Sequence, residues 1–178
     1  EALLEKSVVK WKKFWEQKRV EISSTNEFDQ TAMDFALYHI EIMTPAHDER
    51  FSVGAKGLTG EGYKGHVFWD TEIFVAPFHL FSEPETARKL LRYRYLHIQQ
   101  ANEKAEQNGY EGALFPWESA LSGKEETPEF AAINIRNGKR QKVASAIAEH
   151  HIVADIAFAV VQYYENTQDE AFMKKEGL

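Results

Sequence analysis

Three short stretches hold the side chains that could do chemistry. The first follows a glycine-rich run: five of the ten glycines fall within residues 54–65, and the chain then changes to His66, Phe68, Trp69, Asp70 and Glu72. The second is Trp117 with Glu118, directly after Pro116, whose ring fixes the local backbone. The third is Glu149, His150, His151 and Asp155, at the head of a strongly apolar run. An aromatic ring beside carboxylates and an imidazole suits a sugar. The C–H face of a pyranose stacks on indole while its hydroxyls donate to charged acceptors, each such bond contributing about 1.5–3 kcal/mol. A blander reading of the first stretch makes Trp69 a core residue and lets the acids cap a helix. Trp117 likewise reads either as part of a site or as the buried anchor of a surface excursion. His151 and Asp155 supply two metal ligands where zinc wants three or four, and adjacent histidines on a helix point about 100° apart. A histidine beside a sugar site fits that pair better.

The elements that must position these residues read as helices. Leu4, Val8, Trp11 and Trp15 form one stripe at helical spacing over residues 2–18, and the tryptophans in it read as packing. After the polar break 23–26 the period returns through Phe28, Ala32, Phe35, Ala36, Ile40 and Met43, and ends before Pro45. Asp70 or Thr71 is placed to cap a helix through Phe74, Val75, Phe78 and Phe81, with Pro77 kinking it or marking its first turns. Ser82 and Glu85 have capping-box spacing around Pro84, which predicts one long helix from there to about Asn108, stopped by Gly109. Residues 109–148 show no strong period, and a loop of that length inside a compact domain is rarely idle. From Glu149 a helix should turn Ile152, Ile156, Val160 and Tyr163 or Tyr164 inward, and a last one begins near Asp169. No periodic strand is visible, so the fold class is all-α.

Composition narrows the classes further. A net charge of -7 leaves no basic face to neutralise phosphates, which argues against a nucleic-acid protein. With no cysteine there is neither a disulfide frame nor a thiolate metal site, as suits a reducing compartment. No apolar run approaches the roughly 18 residues of a membrane span, so no membrane partner is expected and the location is read as cytoplasmic. Both ends look cut from something longer. No P-loop, dinucleotide fingerprint, nucleophile elbow or HExxH occurs.

The motifs GEGYKGHVFWDTEIF at 60–74, YRY at 93–95, NGYEGALFPWES at 108–119 and the SGKEETP that follows closely resemble the glycoside phosphorylases of glycoside hydrolase family 65. Several tryptophan motifs agree in order and spacing, which is more specific than any one of them, and the kojibiose and trehalose-like branch is the nearer. The resemblance implies residues 1–25 as a helical linker and 26–178 as the opening part of an (α/α)6 catalytic barrel. It implies an enzyme that cleaves an α-linked glucose disaccharide with inorganic phosphate, inverting to β-glucose 1-phosphate, with phosphate as co-substrate and no cofactor. Phosphate is then itself the nucleophile, so one protein carboxyl suffices as general acid.

In the family that acid and the phosphate site belong to later barrel segments, so no catalytic residue is assigned in this chain. The resemblance puts Trp69 and Asp70 on the transferred glucose, and Trp117 and Glu118 near the scissile bond and the acceptor sugar. It matches Glu149 and His151 to an E-x-H-I-x-A-D segment on the acceptor side. Ala144-Ser145-Ala146 stands where the kojibiose-like enzymes have Trp-Thr-Gly, and His150 where a larger apolar or aromatic residue is usual, changes that reshape the acceptor subsite. Two other readings remain: a hydrolase on the same barrel, and a non-catalytic helical sugar-binding or interaction module. The isolated 178 residues are expected to lack catalysis and, with apolar helix faces open, to self-associate.

Overall fold

The computed structural model describes residues 1–57 and 60–177; Leu58 and Thr59 of the glycine-rich stretch, and Leu178, lie outside the described residues. Eight α-helices are described, with no strand among the described residues, only the isolated bridges Val67–Ser119 and Phe130–Lys142. The chain divides into two compact units, Glu1–Thr44 and Pro45–Leu178.

The first unit is a helix pair, α1 (Ala2–Lys18) and α2 (Glu27–Met43), with the bounds that the periodicity predicts. Asn26 caps α2 by accepting from the Phe28 N–H. Phe14 and Leu37 are its buried residues, and Trp11 packs on Tyr38 with ring centroids 4.9 Å apart. Leu4 and Val8, at the start of the predicted stripe, stay exposed. A forked ion pair from Arg19 to Asp34, at 3.1 and 2.7 Å, closes the loop end.

In the second unit, a π-helical turn (Thr71–Val75) leads into α3 (Ala76–Ser82), followed by α4 (Pro84–Leu96) and α5 (Ile98–Gln107). The short α6 (Ser145–Ala148), α7 (His151–Thr167) and α8 (Glu170–Glu176) complete it. Ile152, Ile156, Val160 and Tyr163 are buried as predicted for α7, each large side chain contributing about 1.5–3 kcal/mol. They serve two core clusters. Leu80, Leu91, Val160, Tyr163 and Phe172 fill one between α3, α4, α7 and α8. Ala101, Phe115, Ile152 and Ile156 form the other, with Trp69 and Trp117 packed partly buried against it.

Two expectations for the middle of the chain do not hold. The capping box does not form: Ser82 Oγ donates back to the Phe78 carbonyl at 2.8 Å, and Glu83 takes the cap position and accepts from Thr86 Oγ1. The single helix to Asn108 breaks at His97, whose φ of -110° and ψ of 16° leave the helical region. The cause is tertiary. Gly123, at φ +68°, lies so close to the His97 ring that a Cβ there would overlap it, and Tyr93 packs edge-on to the same ring at 4.8 Å. No glycine or proline marks this break.

Candidate carbohydrate site

Trp69 and Asp70 stand at the entrance to the π-helical turn. Ile73 N–H still reaches back four residues, to Trp69, but Ala76 N–H reaches five, to Thr71. That widening turns Thr71 and Glu72 inward. Thr71 Oγ1 donates to the Val53 carbonyl at 3.2 Å, and Glu72, only 1% exposed, receives a fork from Arg94, with Nε at 2.6 Å and Nη2 at 3.0 Å. Arg94 Nη2 also donates to the carbonyl of Phe68 at 2.8 Å, one residue before Trp69. Burial works against the guanidinium charge, but the Glu72 carboxylate more than offsets it and holds Arg94 above its ordinary range. Asp70 is at the cap position and makes no capping bond; among the described residues its carboxylate has no partner, and it is partly exposed. The carboxylate that buries itself is therefore Glu72, and the one left facing outward is Asp70.

The glycine-rich run before it closes on itself. Ala55 N–H donates to the His66 carbonyl at 3.1 Å, and a Cβ on Gly54 would lie 2.9 Å from the Gly65 carbonyl oxygen. Gly54 thus permits a backbone-to-backbone approach. The result is to deliver His66 and Val67 to the second stretch.

There, Val67 and Ser119 exchange backbone bonds at 2.8 and 3.0 Å, and Tyr93 supports the bridge, its hydroxyl 3.0 Å from Ser119 Oγ and donating to the Ala120 carbonyl at 2.8 Å. His66 Nδ1 lies 2.7 Å from Glu118 Oε1, a pair separated by 52 positions in sequence. Glu118 is 7% exposed, so it reaches the site as a largely buried, imidazole-paired carboxylate. Leu114 and Phe115 are buried, and Trp117 follows them half-buried. Both readings of the tryptophans meet here: each packs against the core cluster and stays partly exposed.

His151, at the first turn of α7, joins the two stretches. Its ring lies edge-on to Trp69 at 5.0 Å and to Trp117 at 5.9 Å between centroids. Nδ1 is 2.6 Å from Asp155 Oδ2 and Nε2 is 3.5 Å from Glu149 Oε2. Five of the six residues read from the sequence therefore meet around one imidazole or its partners: Trp69, Trp117, Glu149 and His151 directly, with Glu118 beside Trp117. Asp70 adjoins Trp69 and opens outward. His150 turns away to Tyr110, at 5.5 Å. Three further residues bond to these stretches without having been singled out in the sequence: Arg94, on Glu72 and the Phe68 carbonyl, Glu125, which accepts from the Trp117 and Glu118 N–H groups, and Lys104, which pairs with Glu125. Arg94 lies inside YRY and Glu125 inside SGKEETP, so both motifs marked the family without their structural roles being visible.

Comparison with known proteins identifies the family. The model of the glycosyl hydrolase family 65 central catalytic domain matches residues 34–178. Kojibiose phosphorylase of Escherichia coli K12 is 64% identical over 99% of this chain and 23% of its own length. A kojibiose hydrolase of Flavobacterium johnsoniae is 38% identical over 98% of this chain and 24% of its own. A solved structure provisionally assigned as a kojibiose phosphorylase from the human microbiome superposes with a TM-score of 0.80 at 27% identity, over 99% of this chain and 21% of that one. The chain thus spans less than a quarter of the length of these relatives. Matched through both tryptophan stretches and along most of its helices, the chain belongs to glycoside hydrolase family 65, within the central catalytic domain.

Proposed function

We propose that this chain is the glucosyl-binding wall of an inverting disaccharide phosphorylase, which cleaves an α-glucosidic bond with phosphate and yields β-glucose 1-phosphate. The observation that supports it best is the cluster of Trp69, Trp117 and His151 with the Asp70 carboxylate, unpartnered among the described residues, beside it. In this reading residues 1–25 are a linker and 26–178 open the barrel. Trp69 offers its free face to the transferred glucose, and Asp70 accepts from that sugar's hydroxyls. Trp117 and Glu118 face the acceptor sugar, with Glu149 and His151 closing that side. Asp70 can accept without giving up an existing bond, whereas Glu118 keeps one oxygen on His66 and orients the other. The general acid and the phosphate-binding groups come from later barrel segments, phosphate is the co-substrate, no cofactor is required, and the enzyme is cytoplasmic.

The test is a panel of kojibiose, trehalose, nigerose and maltose given to the complete protein with and without phosphate. Phosphate-dependent formation of β-glucose 1-phosphate from one of them is the expected result. A hydrolase is the second reading, favoured by the relative named as a kojibiose hydrolase. It predicts glucose release at the same rate in both arms. Saturable binding with no turnover of any of the four would leave a sugar-binding module.

A further inference from the structure

Glu125 lies outside the site read from the sequence, yet the backbone N–H groups of both Trp117 and Glu118 end on it. Trp117 N–H donates to Oε2 at 3.1 Å and Glu118 N–H to Oε1 at 3.2 Å. Thr127 adds its N–H at 3.3 Å and its hydroxyl at 2.6 Å, both to Oε1, and Lys104 Nζ reaches Oε2 at 2.5 Å. Five donors therefore converge on one side chain. Lys104 stands on α5, 13% exposed, between the buried Ala101 and Ala105, and it also reaches the Phe115 carbonyl at 3.4 Å. The carboxylate thus ties the Trp117–Glu118 peptide to a core helix. Glu126 N–H closes the ring from the other side by donating to the Glu118 carbonyl at 2.8 Å.

No regular element holds residues 117 and 118, so these two N–H groups have no helix or ladder partner to fall back on. We propose that Glu125 is a positioning residue that sets the height and tilt of Trp117 and Glu118 against the acceptor sugar, with Lys104 as its anchor on α5. The acceptor part rests on the phosphorylase reading above. Glu125 acts through the two residues whose amides it holds. Gly123 serves the same end, because its turn brings residues 124–127 back under the loop, where any Cβ would overlap His97.

Glu125→Gln is the informative change because it keeps the volume and removes one acceptor. Whichever way the amide is turned, its NH2 faces N–H groups, with either Lys104 or the Thr127 hydroxyl beside them. In the complete protein, amide hydrogen exchange should quicken at least about tenfold at Trp117 and Glu118, while Val67 and Ser119, bonded to each other, keep their protection. In the synthetic direction, KM for the acceptor sugar should rise about tenfold, the loss of roughly one hydrogen bond, with KM for β-glucose 1-phosphate unchanged. Lys104→Met leaves the four loop donors in place and should give a smaller rise in the same constant. Should Glu125→Gln fail to fold, this variant alone decides. Retained protection at residues 117 and 118 overturns the inference whatever the activity, as does a KM for acceptor that stays put or rises together with that for glucose 1-phosphate. If the wild type turns over no disaccharide, it is the functional reading that fails, and the exchange data still report whether Glu125 holds the loop.

Discussion

The Trp69–Asp70 wall rests on a helical turn fixed from beneath by a fully buried Arg94–Glu72 fork, whereas the Trp117–Glu118 wall lies in a loop tied down by charges that keep some contact with solvent, Lys104, Glu125 and His66. The first support is sealed from solvent and shared with the core, so it is held as firmly as the fold is. The second is a set of contacts that can be exchanged one at a time, each worth roughly one hydrogen bond. Under the proposed function, a wall of the first kind would suit the glucose that each cycle holds in the same way. A wall of the second kind can be retuned without unfolding the domain, which would suit the partner sugar.

The sharpest way to break this comparison is Arg94→Met. It leaves Glu72 charged without its partner and the Phe68 carbonyl unpaired, and should cost about 3–5 kcal/mol in urea unfolding. Pairing it with Glu72→Leu should restore much of that loss. A single variant as stable as wild type would mean that the first wall is no more rigid than the second. Next come the carboxylates themselves. Asp70→Asn removes an acceptor charge with nothing to replace it and should lower kcat/KM about 10- to 150-fold. Glu118→Gln keeps an oxygen for the sugar or for His66 and should cost about tenfold, expressed in the acceptor KM. Turnover of Asp70→Asn within a few fold of wild type would remove Trp69 and Asp70 from the glucose subsite.

The smallest effect is in acid. Burial, with the Arg94 charge adding to it, holds the His97 imidazole below its ordinary value of 6.5. The unfolded chain takes up that proton first, so stability is complete above about pH 6.5 and falls as the pH drops toward the lower folded value. His97→Gln should flatten the fall in thermal midpoint over that range. His97 lies against Gly123, so exchange under the loop should quicken before exchange around Trp69 does. Equal quickening at both walls would argue that they share one support.

Long amphipathic stretches were legible in the sequence because each repeats its signal several times: α1, α2 and the buried face of α7 follow directly from the period of Leu, Ile, Val and aromatic residues. The break at His97 left no trace there, since a loop 26 positions later imposes it. The Ser82 box misled because its hydroxyl found a carbonyl one turn back, a local bond that competes with capping. At the site, types and neighbours were readable, so Trp69, Asp70, Trp117 and Glu118 could be named. Pairings across 52 positions, such as His66 with Glu118, have no periodic signature, and Glu125 entered only as part of the SGKEETP motif. What sequence reading lacked was the third dimension of the loop rather than the chemistry of its residues.

The widened turn at Thr71–Val75 also sets a rule for how this stretch can change in length. It holds one more residue than an α-helical turn would. Deleting one of those five would let the turn close as an ordinary α-helical one with its two ends nearly in register, so Trp69 and Asp70 would stay near their places and the change would fall on Thr71 and Glu72, which the widening turns inward. Substitutions in this turn can be absorbed one side chain at a time. A single-codon loss would instead be read first in the Arg94–Glu72 fork, as a loss of stability with the tryptophan contact to His151 kept.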